Sequence, residues 1–167
     1  MLKYRETTMH TQQEIEHTFW KALKAERTVM LGLESEGGHM RPMTAMSEGE
    51  RGPIWFFASH DGELAQRLGA GTRASIAFSS REHELFATVQ GRVAPDQNRA
   101  AIDHFWNPFV AAWFEGKDDP RIALLRFDPE HAEIWLNAAS LLDGVKFMLG
   151  GHPKHGYRDH LAKIDMR

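Results

Sequence analysis

The chain has 167 residues, enough for one domain, and its 42% hydrophobic and 26% charged residues belong to a folded protein rather than a disordered one. A net charge of −3 leaves no basic footprint for nucleic acid, and no apolar run of about 18 residues exists to span a membrane. The absence of cysteine excludes disulfides, thiolate catalysis and cysteine-ligated metal together, and Met1 to Thr11 lacks the apolar core of a signal peptide, so the cytoplasm is the expected location.

Thr11-Gln12-Gln13-Glu14 fits a capping box, in which hydroxyl and carboxylate satisfy each other's orphan backbone amides. Ile15, Phe19, Ala22 and Leu23 follow at helical spacing, which predicts an amphipathic helix over 12–26. From Thr28 the period changes to two. Val29, Leu31 and Leu33 alternate, Ser35-Glu36-Gly37-Gly38 turns, and His39 to Met46 reads as the return strand. On it Arg41, Met43 and Ala45 share one face, and Met40, Pro42, Thr44 and Met46 the other. Pro42 has no N–H to donate, which points to an edge strand, a bulge or a ligand-facing stretch.

After a turn from Glu48 to Gly52, Ile54-Trp55-Phe56-Phe57-Ala58 is a continuous apolar run, the pattern of a strand covered on both faces. Ser59-His60-Asp61-Gly62 precedes a short helix over 61–70, stopped by Gly69-Ala70-Gly71. Ala74, Ile76 and Phe78, then Leu85 to Val93, mark two more strands joined at 80–83. Asp96 is placed to cap a helix reaching about Trp106. Asn107-Pro108 interrupts it and begins another, as cap and first helical residue, ending near Gly116. Ile122 to Leu136 is the last and longest strand, bent at Asp128-Pro129. The stretch 150–167 is polar and reads as a loosely held tail, leaving 1–149 as the single domain. Strands joined mostly by tight turns make an antiparallel sheet, and about six suffice for a small barrel.

Several patterns fail on context. Gly69-Ala70-Gly71-Thr72-Arg73-Ala74 has dinucleotide-fingerprint spacing but follows a helix and opens a strand, the reverse of what pyrophosphate binding needs. His152, His155 and His160 lack the helical frame of a metal site, His83-Glu84 lacks a second histidine, and there is no glycine–x–serine–x–glycine elbow. Of five tryptophans, Trp55 reads as core, while Trp106, Trp113 and Trp135 divide between packing and ligand contact. Two places suit an anion: Arg41 on its proline-broken strand, and Ser59-His60 before a helix N-terminus. Each alone is as readily a surface ion pair or a cap.

Four segments together resemble a known family: His39-Met40-Arg41-Pro42-Met43, Ile54 to Ser59, Phe105-Trp106-Asn107-Pro108-Phe109-Val110-Ala111-Ala112-Trp113-Phe114, and Ala132-Glu133-Ile134-Trp135. Their order and content, over about Thr11 to Leu149, are similar to the general stress protein branch of the pyridoxamine-phosphate-oxidase-like flavoproteins. The resemblance implies a six-stranded antiparallel split β-barrel, a homodimer, and FMN in clefts between subunits. Carried over, Arg41 and the backbone of Pro42 and Met43 line the flavin and its phosphate. Ala58, Ser59 and His60 take the ribityl-phosphate end, and Ser79 lies nearby. Trp135 reaches the flavin from the partner subunit, with Trp106 close to the same cleft. Relatives place a lysine a few residues after the serine, where this chain has Leu64, so the expected phosphate site lacks one cation. Ala138-Ala139-Ser140-Leu141-Leu142 offers no arginine for a substrate phosphate, so pyridoxamine phosphate oxidation is not implied. A flavin-dependent oxidoreductase, a non-catalytic flavin-binding stress module, and a barrel using haem or a deazaflavin remain the open functions.

Overall fold

The capping box forms as its residues require. In a computed structural model, which describes residues 11–136 and 161–167, the Glu14 amide donates to the Thr11 hydroxyl at 3.2 Å and the Thr11 amide to Glu14 Oε2 at 2.8 Å. Helix α1 (Gln12–Glu26) turns Ile15, Phe19, Trp20 and Leu23 inward. Arg27 ends it in the left-handed conformation (φ 62°), its amide donating to the Leu23 carbonyl.

The strands are β1 (Thr28–Leu33), β2 (Met40–Thr44), β3 (Ile54–Ser59), β4 (Thr72–Ser79), β5 (Leu85–Pro95), β6 (Ile122–Leu136) and β7 (Leu161–Asp165), with helices α2 (Glu63–Arg67), α3 (Arg99–Phe105) and α4 (Pro108–Ala111) among them. They form one seven-stranded antiparallel sheet in the order β2-β1-β4-β5-β6-β3, with β7 also on β6. β2 is thus an edge strand, where the missing N–H of Pro42 costs no ladder bond. The ends of the path are joined by a single bridge, Met46 and Trp55 exchanging backbone hydrogen bonds of 2.9 and 2.8 Å. The sheet curls without closing into a continuous ladder.

β5 follows one edge of β6, while β3 (at 122–127) and β7 (at 131–135) share the other edge end to end. The register between β5 and β6 shifts at Gln90/Gly91: Gly91 faces Pro129 and Gln90 faces His131, leaving Glu130 as the extra residue of a bulge. The bend expected at Asp128-Pro129 is this bulge.

The main core lies between α1 and the inner face of the sheet, from Phe19 and Trp20 to Phe56, Phe127 and Ile164. A smaller cluster forms where α3 and α4 cover Trp55, Ile122 and Leu124 on the other side of β3 and β6. Among the described residues, no helix is long and apolar enough to cross a membrane.

The structure corrects the sequence reading at several points. Among the described residues there are seven strands rather than six, and the end of the supposedly loose 150–167 tail is paired, with Ala162 and Ile164 buried in the main core. A five-residue polar-apolar stretch has no local signal that outweighs its polar surroundings; the open edge of β6 is what makes it a strand. Helix α2 has five residues and is capped by Gly62, not Ser59. Asn98 rather than Asp96 caps α3, its side chain accepting from Ala101, whereas Asn107 and Pro108 begin α4 as expected. His152, His155 and His160 lie outside the described residues.

Gly91 is required by the bulge. A Cβ there would lie 2.2 Å from the Asp128 carbonyl oxygen and 2.9 Å from the Phe127 ring. Gly91→Ala is expected to destabilise by about 1–3 kcal/mol, the usual cost of forcing carbon into a packed site. Gly49→Ala, whose Cβ meets nothing within 4 Å, should be near neutral. Urea denaturation of both variants checks the contrast.

Candidate functional site

Strand alternation divides the residues of β2 between two environments. Arg41 faces Leu31 and Met43 faces Val29, both buried, so these side chains belong to the inner face. Pro42 faces Met30 on the outer face, and both are exposed.

Arg41 ends in a compact ion-pair cluster. Its Nη2 donates to both oxygens of Glu36 at 2.9 Å, and Arg67 Nη1 donates to Glu36 Oε1 at 3.0 Å. The side chain of Glu36 is 5% exposed and that of Arg41 17%. Arg67 also holds Glu63, one turn back on α2, at the solvent side. Two guanidinium groups therefore share one buried carboxylate. The Arg41 hydrogen bonds hold the Glu36 carboxyl below its usual range; burial opposes this, and the nearby charges of Arg41, Arg67 and His39 add to the lowering. Arg41 Nη1 is buried and, among the described residues, has no hydrogen-bond partner.

The turn into α2 lies beside this cluster, because α2 carries Arg67 to Glu36. Ser59 closes β3, its carbonyl accepting from Gly62 at 2.9 Å, and the His60 amide donates to the Arg121 carbonyl at 2.9 Å. Ala58 faces Ala123 and packs against the main core. Leu64, the position expected near a phosphate, is 6% exposed and part of that core. A cation does stand three residues on, at Arg67, where it meets Glu36. Sequence reasoning missed it, although Glu63 and Arg67 at i,i+4 mark a charged helix face adjoining Leu64.

Ser79 and Trp135 are brought together on the outer face. One row across the sheet reads Ser79, Phe86, Trp135, Leu161, and the row containing Pro42, Met30 and Ala77 runs beside it. Trp135 is half-buried and Phe86 exposed. The Ser79 hydroxyl lies 3.3 Å from His83 Nδ1, and the His83 ring is parallel to Phe86 at 6.1 Å between centroids. Trp106 is not on this face. It packs edge-on to Phe57 at 6.3 Å and lines a cavity beside α1. The expected site residues thus fall in three neighbourhoods: the Arg41 cluster with the Ala58–His60 turn, the outer face, and the Trp106 cavity.

Removing the Glu36 charge tests the cluster. Glu36→Gln leaves two guanidinium groups without their buried carboxylate and is expected to cost roughly 1–3 kcal/mol at neutral pH. Because the carboxyl is shifted downward on folding, its contribution is full above its ordinary value of 4.5 and is lost as pH falls through the lower folded value. The stability gap between wild type and Glu36→Gln should therefore narrow below pH 4.5. Denaturation midpoints across pH measure this.

Comparison with known proteins places the arrangement. Residues 14–151 match the family described as pyridoxamine 5'-phosphate oxidase like. The structure of a general stress family protein from Xanthomonas campestris pv. campestris is 56% identical over 79% of this chain and 93% of its own, with a TM-score of 0.74. The general stress FMN/FAD binding protein of Xanthomonas citri is 56% identical over 77% of this chain and 92% of its own, with a TM-score of 0.72. A general stress protein 26 from a Jannaschia species is 26% identical over 92% and 99% of the two chains, with a TM-score of 0.77. No curated protein matches. With its match extending from α1 across every strand from β1 to β6, the chain belongs to the pyridoxamine 5'-phosphate oxidase-like family.

Proposed function

We propose that this chain is a flavin-binding protein of the general stress type, a split β-barrel that dimerises and holds FMN between two subunits. The observation that carries the reading is Arg41 Nη1, a buried donor with no partner among the described residues, beside a second guanidinium that shares the same counter-ion. Glu36 and Glu63 balance the two charges, but the pair keeps N–H donors to spare for a phosphate dianion, which suits the forked geometry of arginine. Identity of 56% to a flavin-binding general stress protein supports the same conclusion.

In this reading Arg41 and Arg67, with Ser59 and His60 at the turn, hold the phosphate end. The free edge of β2 at Pro42 and Met43 flanks the ring. Ser79 and the partner's copy of the outer face, through Trp135, complete the cleft. Bound FMN supplies electron and hydride transfer, and the protein supplies binding, orientation and electrostatics. The proposed activity is that of a flavin-dependent oxidoreductase. The outer face supports dimerisation, since it carries exposed Met30 and Phe86 and half-buried Trp135 on β1, β5 and β6.

Titration with FMN, followed by flavin fluorescence and the visible spectrum, is expected to show saturable binding. A Soret band in the purified protein, or no saturation, overturns the reading. Arg67→Gln should weaken FMN roughly 2- to 10-fold and leave riboflavin, which has no phosphate, unchanged. Trp135→Ala should weaken both flavins by about 2- to 10-fold, the equivalent of one aromatic contact, with little change in melting temperature.

Light scattering at micromolar concentration should return a particle of twice the chain mass. A monomer would count against a cofactor shared between subunits.

A further inference from the structure

We propose a second anion site, for a small molecule bearing a carboxylate or phosphate, in the cavity between the end of α1, the segment after β2, and the α3–α4 junction. The cavity has a volume of about 240 Å³, the size of a small metabolite rather than a cofactor. It is independent of the flavin reading. Ala45, on its wall, is four residues along the extended chain from Arg41, roughly 13 Å at strand rise.

Three observations converge on it. Ser47, on the cavity wall, is 9% exposed, and its hydroxyl is buried with no hydrogen-bond partner among the described residues. Buried hydroxyls are nearly always paired, so this one has an unmet demand. Lys24 Nζ uses one donor on the Glu48 carbonyl at 3.0 Å, leaving two. Arg27 uses Nε on the Lys24 carbonyl at 3.3 Å, and among the described residues its terminal nitrogens make no bond.

The opposing charges are present on the same wall. The negative end of α1 points here, and the Glu48 carboxylate sits 3.9 Å from His104 Nε2. Lys24 and Arg27 outnumber Glu48, so the balance favours an anion. Trp106 contributes an apolar wall, which suits a ligand with a short carbon body.

The test is a two-dimensional ¹H–¹⁵N NMR titration of the full chain with inorganic phosphate and, separately, with acetate, at constant ionic strength set by chloride. The expected result is saturable shifts of the Ser47 and Glu48 amides and the Trp106 indole with at least one of the two probes. The probe that saturates at lower concentration identifies the ligand class. Lys24→Met and Arg27→Gly should each weaken binding at least fivefold; glycine accepts the φ of 62° at residue 27 without strain, so the helix cap survives. Absence of saturation with both probes, equal shifts with chloride alone, or unchanged affinity in both variants would overturn the proposal.

Discussion

A fifteen-residue strand cannot follow a twisted, curling sheet without relief, and β6 finds it at Glu130. Before the bulge the strand pairs with β3, after it with β7, while β5 runs along the opposite edge throughout. The displaced residue is put to use. The Glu130 carboxylate reaches Arg73 at 3.0 Å and Arg92 at 3.3 Å, and its carbonyl accepts the Met166 amide at 2.8 Å. One irregularity therefore ties β4, β5 and the end of the chain together, and it depends on the missing side chain of Gly91 to let the backbones approach.

The same division of β6 explains why one part of the outer sheet is covered and another open. Along the first half, α3 and α4 close over Trp55, Ile122 and Leu124. Along the second half no described helix covers Trp135 and its neighbours Phe86 and Leu161; only the His83 ring lies parallel to Phe86. Strand alternation then assigns β2 its two roles. Its inward side chains reach the core and the buried carboxylate of Glu36, while Pro42 stands on the open side at a free edge. An ion pair this buried is sustained by Arg41 Nη2, which reaches both carboxylate oxygens, and by the second guanidinium, since desolvation alone would disfavour the carboxylate. It leaves a donor of Arg41 unspent at the point where the β2 edge and α2 come together.

Much of this was legible in order along the chain. The capping box, the alternation of β1, β4 and β5, the edge position of β2 and the Asn107-Pro108 helix start are local patterns, and local patterns survive folding because they reflect backbone sterics and hydrogen bonding within a few residues. The family, too, was readable from the arginine–proline–methionine and tryptophan–asparagine–proline–phenylalanine segments.

Other features have no local signature. Leu64 and Arg67 lie on adjoining sides of one helical turn, and only the direction in which α2 packs decides that the leucine enters the core while the arginine meets Glu36. Trp106 and Trp135 look alike in sequence, yet one is folded under α3 beside α1 and the other is set on an open sheet face. Leu161–Asp165 is too short to announce itself as a strand and becomes one because β6 offers an unpaired edge beyond its bulge. The sequence by itself determined the helices and strands other than Leu161–Asp165, and which way side chains alternate along them. Which element covers which face, and hence which charges meet, was decided only by tertiary packing, because those contacts join residues far apart in the chain that no local period connects.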